Sequence, residues 1–331
     1  MAERYRIFGS ELSPYSVKVR SYFRYKGIPH EWIVRSAATM EEYRKYAKLP
    51  LIPVVVTPDG RGLQDSTPIL EQLEAAHPEP SIHPTDAPAA FVSALLEEYG
   101  DEWGNKPMFH YRWWYEPDQI SAATRIARDM LGDADQAAID ATAAQLRERM
   151  VPRLSFVGSS AATRPTIEAS FERQLAVLEQ HLARRPYLFG GRPAFGDFGL
   201  FAQLYECSTD PTPRARMDQV APRVLAWIAR MLEPHAEGPF ESWDALEPTL
   251  RPLLADEVGA LFLPWSAANA RAVAAGEKEF TVTLAGRPWT QETQKYHAKS
   301  LAALRARYAA CPDRARVDAV LRTSGCLQWL Q

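Results

Sequence analysis

Ser13-Pro14, within Ser10-Glu11-Leu12-Ser13-Pro14-Tyr15-Ser16-Val17-Lys18-Val19-Arg20, puts a hydroxyl at the start of a helix. Serine suits the N-cap and proline the first helical position. Unpaired backbone N–H groups and the positive end of the helix dipole meet there, so an anion such as a thiolate is stabilised. A free thiol has a pKa near 8.5, and lowering it by about two units takes roughly 2.7 kcal/mol. One hydroxyl hydrogen bond to a charged acceptor supplies about 1.5–3 kcal/mol, which is enough. The plain alternative is that Ser13 only caps its own helix. That cap uses the oxygen lone pairs and leaves the O–H donor free.

Two further stretches carry recognition chemistry. In Pro50-Leu51-Ile52-Pro53-Val54-Val55-Val56 a proline enters a β-branched run. Proline lacks the ladder donor and belongs at a strand's first residue. With a cis Ile52–Pro53 bond the backbone of Ile52 turns outward and can pair with an extended peptide; a trans proline at the strand start is the other option. In Gln64-Asp65-Ser66-Thr67-Pro68 an acid and a hydroxyl open a helix. Backbone N–H groups and Ser66 suit a carboxylate, and Asp65 an ammonium, so the pair fits a zwitterionic amino-acid head. A simple capping pair is the alternative.

The elements that must position these groups read in the order β-α-β-α-β-β-α. Tyr5–Phe8 is a strand, Pro14–Lys26 a helix ended by Gly27, and His30–Val34 a second strand. Thr39–Lys48 is a short helix with Thr39 and Glu42 in capping-box spacing. Ile52–Thr57 is a buried strand, Pro58-Asp59-Gly60 a turn, Gly62–Gln64 a returning strand and Ser66–Ala76 a helix. Strands alternating with helices imply parallel crossovers and one terminal hairpin, a thioredoxin-like α/β domain over residues 1–80. Residues 81–88, within the proline-bearing His77–Pro88, read as a linker.

From residue 89 to 238 the pattern turns all-helical: Phe91–Glu102, Asp118–Leu131, Asp135–Met150, Thr166–Ala183, Phe195–Cys207 and Val220–Leu232 all show spacing near 3.6. Residues 239–331 form a mostly helical C-terminal extension. Glu247–Leu254, Val258–Ala275, Thr290–Ala309 and Asp313–Leu321 read as helices, and Glu279–Leu284 as a strand ending at Ala285-Gly286.

Composition narrows the function classes. The 331 residues are 46% hydrophobic and 24% charged, a globular profile. A formal net charge of -3 argues against a nucleic-acid footprint. Cys207, Cys311 and Cys326 show no CxxC spacing, and the seven histidines form no HxH or HExxH pattern, so no metal site is expected. The sparse cysteines and the polar start Met1–Arg6, with no apolar leader, point to a cytoplasmic protein. No apolar run is long enough for a membrane span.

Taken together and at this spacing, Ser13, Pro53 and Asp65-Ser66 resemble the site of the cytosolic glutathione transferase superfamily, serine type. The resemblance implies glutathione as co-substrate, with Ser13 bonded to its sulfur, Ile52 to the cysteinyl backbone and Asp65 with Ser66 to the γ-glutamyl group. Phe8 stands where tyrosine-type members place a phenol, and the loop holds no cysteine. Arg192-Pro193-Ala194-Phe195-Gly196-Asp197 resembles the family's helix-capping box, with Ala194 in place of the hydroxyl residue. The compact Lys48-Leu49-Pro50-Leu51 departs from the family's Asn-Pro-x-Gly, and the resemblance stops near residue 235.

In such proteins the electrophile lies between the domains. Here Met108, Tyr111, Trp114 and Tyr115 sit in the densest aromatic cluster and are the candidate pocket; packing of a domain or dimer interface is the other reading. Phe262-Leu263-Pro264-Trp265 and Pro288-Trp289 are candidates for a lid or a second interface. The expected activity is attack of the glutathione thiolate on a hydrophobic electrophile, as in detoxification, by a homodimer. A glutathione-dependent isomerase or dehalogenase, and a non-catalytic scaffold for protein association, are the alternatives.

Overall fold

The computed structural model describes residues 4–331; of the polar start Met1–Arg6, the first three residues lie outside it. Strands β1 (Tyr5–Gly9), β2 (His30–Val34), β3 (Val54–Val56) and β4 (Gly62–Gln64) form one sheet in the order β2-β1-β3-β4. β1 is parallel to β2 and antiparallel to β3, and β4 returns antiparallel to β3. Alternation sorts the two faces. Ile7 and Val55 pack with Val17, Phe23 and Ile69, from α1 (Pro14–Tyr25) and α3 (Ser66–Ala76). Phe8, Val54 and Val56 pack with Tyr43 of α2 (Met40–Tyr46) on the other side. The capping box read at Thr39 and Glu42 does not form. Thr39 Oγ1 instead donates to the Val34 carbonyl and accepts from the Ser36 N–H, tying β2 to α2.

The helical part begins with α4 (Ala87–Tyr99), capped by Asp86. A π-helical turn, Gly100–Gly104, leads into α5 (Asn105–Trp114), a helix the periodicity did not reveal. Then come α6 (Glu116–Leu131), α7 (Gln136–Met150), α8 (Arg164–His181), α9 (Phe195–Thr209), α10 (Pro211–Val220) and α11 (Pro222–Leu232). The sequence reading also missed α10, whose only buried residues are Pro213 and Met217. Helix α9 is buried almost all round, as a central helix must be. A side chain at Gly100 would strike the backbone of Gly199 and Leu200, so α4 and α9 meet backbone to backbone.

Asp197 caps α9 from inside the core. It accepts from the N–H groups of Ala194 (2.9 Å) and Leu188 (2.8 Å) and from the Trp227 indole (3.0 Å). Ala194 has no side-chain acceptor. Ser93 of α4 compensates by taking the Gly196 N–H at 2.9 Å.

The extension continues with α12 (Trp243–Leu253), a π-helical stretch Leu254–Phe262 and α13 (Leu263–Ala275) as one rod. A hairpin of β5 (Glu279–Leu284) and β6 (Arg287–Glu292) follows, turning at Ala285-Gly286, both with positive φ. Helices α14 (Lys295–Ala309), α15 (Arg314–Thr323) and α16 (Leu327–Leu330) close the chain. The helix expected over Thr290–Ala309 therefore begins later: Thr290–Glu292 belongs to β6, which pairs with β5 and alternates to bury Trp289 and Gln291 on one side.

Trp265 and Trp289, the lid candidates, are buried against Trp103 and belong to the main core. Glu257 of the extension accepts from Tyr99, Ser170 and Arg173, joining it to α4 and α8. The extension is thus an integral layer of the fold, and a lid reading does not fit these tryptophans. No helix among the described residues is long and apolar enough to cross a membrane.

Candidate functional site

Sheet topology brings the three sequence motifs to one end. The loop Ser10–Ser13 follows β1, whose Phe8 pairs with Val54 at the start of β3, directly after Ile52–Pro53. Val54 in turn pairs with Gln64, the last residue of β4, so Asp65-Ser66 leaves from the same edge.

Ser13 is half-buried, in extended conformation at the N-cap of α1. Its Oγ accepts from the Ser16 N–H at 3.3 Å, while its carbonyl accepts from Ser16 and Val17. The cap leaves the hydroxyl hydrogen to donate elsewhere. The loop around it is clamped on three sides. Arg20 binds Glu11 through two bonds of 2.6 Å, and Tyr205 of α9 donates to the same carboxylate. Arg112 of α5 donates to the Leu12 carbonyl at 3.1 Å. Ser10 Oγ donates to Asp129 of α6 at 3.2 Å and accepts from the Leu12 N–H. Gly9 sits where a Cβ would overlap the Trp32 ring.

The Ile52–Pro53 bond is cis. The loop carrying it is held from behind. Gln64 spans it with its amide, accepting from the Lys48 and Leu49 N–H groups and donating to the Leu49 and Leu51 carbonyls. The Tyr43 hydroxyl reaches the same two carbonyls. Leu49 and Leu51 remain exposed, on the outer side of the loop.

Asp65 occupies the N-cap of α3 but makes no side-chain cap, so the simple capping pair is absent. Its φ of 82° is positive. Ser66 is buried, and its hydroxyl donates toward Asp101 at 3.4 Å. There it joins a network centred on Lys18, which is 0% exposed and bonded to Glu97, Asp101 and Thr67. Burial pushes the Asp101 carboxyl up, against the pull of Lys18. The network locks α1, α3 and α4 together beneath this end of the sheet.

Met108 and Tyr111 lie on the face of α5 that meets the helical core, Tyr115 follows its last residue, and Trp114 packs on a second cluster. Met108 and Tyr111 are 6% and 7% exposed. Tyr111 packs on Phe171 of α8 and stacks with Tyr115, while Trp114 stacks on His110. Tyr115 donates to Glu168 of α8. These are the contacts of helix packing. Around the Ser10–Ser13 loop stand Arg112 and Asp129, with Trp114, Ile126 and Leu131 in the cluster on which Leu12 packs. Met130 beside them is partly exposed. Helical spacing on α6 shows an apolar stripe, but nothing local says that its end faces residue 12.

Among the described residues no group of three or more His, Cys, Asp or Glu side chains could hold a metal ion. Cys207, Cys311 and Cys326 are unpaired, and burial raises each thiol.

Comparison with known proteins gives the family. No curated protein sequence matches the chain significantly. Among solved structures it is similar to a glutathione S-transferase from Methylobacterium radiotolerans in complex with glutathione sulfonate, with 23% identity over 72% of this chain and 98% of that one and a TM-score of 0.44. A glutathione S-transferase from Methylobacillus flagellatus with glutathione bound is 21% identical, over 69% of this chain and 95% of that one, with a TM-score of 0.41. A GST-like protein from Pseudomonas syringae is 15% identical over 75% and 74%, with a TM-score of 0.44. The model of the glutathione S-transferase N-terminal domain matches residues 7–81, and that of the C-terminal domain residues 129–230. With the two domain models in the family's order over more than half of its length, the chain belongs to the glutathione S-transferase superfamily.

Proposed function

We propose that the protein is a glutathione transferase in which Ser13 donates a hydrogen bond to the glutathione sulfur and favours its thiolate. The observation that carries this reading is the state of Ser13 Oγ: its lone pair serves the Ser16 N–H, and its hydrogen is uncommitted at the positive end of a twelve-residue helix. The thiol proton leaves to solvent, and the sulfur lone pair attacks an electrophilic carbon. A C–S bond forms as a leaving group departs or as electrons move onto the far end of a polarised double bond. The nucleophile belongs to the co-substrate, so the protein needs only to bind, orient and lower the thiol pKa.

Ile52 pairs the cysteinyl backbone in this reading, and Asp65 with the α3 N–H groups holds the γ-glutamyl end. The electrophile enters beside Leu12 and the C-terminal half of α6, where apolar Ile126 and Met130 adjoin polar Asp129. Support for this entry comes from the Ser10–Asp129 and Leu12–Arg112 bonds, which fix that wall against the catalytic loop.

The test is titration of bound glutathione by the ultraviolet absorbance of its thiolate. We expect a thiol pKa about one to two units below that of the free thiol in the native protein, returning most of the way in Ser13→Ala while glutathione still binds. An unchanged titration and unchanged turnover in Ser13→Ala would remove Ser13 from the mechanism.

A further inference from the structure

Asp65 is where the C-terminal extension meets the co-substrate site. A positive φ at a non-glycine residue is strained and persists where surrounding contacts impose it. One such contact comes from α14. The Tyr296 hydroxyl donates to both Asp65 oxygens, at 3.0 and 2.9 Å. Tyr296 is 53% exposed, with its hydroxyl on the Asp65 carboxylate. No cation is bonded to Asp65 among the described residues, because Lys18 is committed to Glu97, Asp101 and Thr67. Burial holds the Asp65 carboxyl above its usual range despite the Tyr296 bond.

Beside this pair a cavity of about 250 Å³ opens between α3, α4 and α14. Asp65, Glu98, Glu102 and Tyr296 line it, with Lys299 and Arg307 on the α14 side. Glu98 Oε1 is buried with no hydrogen-bond partner among the described residues. Its carboxyl is pushed up to about 8 by burial and by the charges of Glu97 and Asp101. A carboxylate without a cation, Asp65, and a buried carboxyl oxygen without a partner, on Glu98, face one small cavity and are matched by an ammonium group. A carboxylate offers about four lone-pair positions. The Tyr296 hydroxyl takes the space between the oxygens, fixing their rotation and leaving the outer positions for a second donor.

Resting on the glutathione reading above, we propose that the extension completes the amino-acid end of the co-substrate site, the cavity taking the free α-ammonium of the peptide and Tyr296 acting as the positioning residue for Asp65. Tyr296 then sets specificity for thiol peptides with an unblocked amino group, although it lies far from the sulfur and belongs to the extension.

The experiment compares glutathione with N-acetylglutathione by calorimetry and by steady-state kinetics, in the full-length wild type, Tyr296→Phe and Glu98→Gln. We expect the wild type to prefer glutathione by tenfold or more. In Tyr296→Phe that preference should fall several-fold, through a higher KM and Kd for glutathione, with kcat and the acetylated ligand little affected. Glu98→Gln should lose preference in the same direction, and it carries the test if Tyr296→Phe folds poorly. Undiminished preference in both variants overturns the proposal while leaving the transferase reading intact, and so does tighter glutathione binding by Tyr296→Phe, which would make the hydroxyl a competitor. A wild type that binds neither peptide overturns both readings.

Discussion

Arg112, buried on α5, donates to the carbonyl of Leu12, one residue before Ser13. Its other two arms bond Glu206 at 2.6 Å and Asp210 at 2.7 Å, both fully buried on and after α9. The helical domain therefore holds the Ser10–Ser13 loop through one planar guanidinium with three fixed directions.

Replacing Arg112 separates its two roles. Arg112→Met leaves Glu206 buried without its cation and should cost about 3–5 kcal/mol, enough to unfold much of the protein. Arg112→Lys keeps the charge but cannot span all three acceptors. It should fold cooperatively, lose roughly 1–3 kcal/mol, and release Leu12, with lower turnover and a raised apparent thiol pKa. Chemical denaturation and the thiolate titration measure the two effects. A lysine variant with native kinetics would show that the Leu12 bond does not position Ser13.

His181 sets an acid limit on stability. It is fully buried between the Leu188 carbonyl at 2.8 Å and Thr249 Oγ1 at 2.8 Å. The carbonyl can only accept, so Nε2 carries the proton and Nδ1 accepts from Thr249, with the Arg185 guanidinium 3.4 Å away. Burial lowers its pKa to about 4. The folded state thus binds fewer protons than the unfolded one between about 6.5 and 4. The stabilising contribution is complete above 6.5 and is lost as pH falls through that window. From pH 7 to pH 5 the loss should be about 2 kcal/mol from this residue. Urea melts of the wild type and His181→Gln should converge as pH drops; parallel curves would assign the acid sensitivity elsewhere.

Much of the candidate site's placement was legible because its signals are local. Alternating strands, Gly27, and the Ser13-Pro14 and Pro53 punctuation mark where each element starts or stops, and the order then brings three motifs to one sheet end. What stayed hidden depends on partners far along the chain. The Tyr296–Asp65 contact spans 231 residues and the Leu12–Arg112 contact 100. Aromatic density at Met108–Tyr115 marks a contact region but neither the helix nor its direction: one face packs on α8, while Arg112 on another reaches the loop. At Asp65 the sequence leaves a simple cap open beside the ligand reading, and the missing side-chain cap and positive φ are visible only in the structure.

Lys106 offers the sharpest test of how the extension is held. Its Nζ is buried 3.6 Å from the Trp265 ring centroid and within 5.5 and 5.8 Å of those of Trp103 and Trp289. The Val157 carbonyl at 3.5 Å is its hydrogen-bond acceptor, and no carboxylate pairs with it among the described residues. Three rings contribute about 2–4 kcal/mol of cation–π attraction, less than the desolvation cost of a buried ammonium. Desolvation accordingly drives the Lys106 pKa well below its ordinary value. The folded state then binds fewer protons than the unfolded one up to about pH 10.4, so the cost of Lys106 is largest at low pH and fades as pH rises. Lys106→Met preserves the length of the side chain without the charge. It should be at least as stable as the wild type at pH 7, by about 1 kcal/mol or more, with the difference closing toward pH 10. A methionine variant destabilised by several kcal/mol at every pH would show instead that the tryptophans hold a charged lysine, and that the extension is docked on a cation.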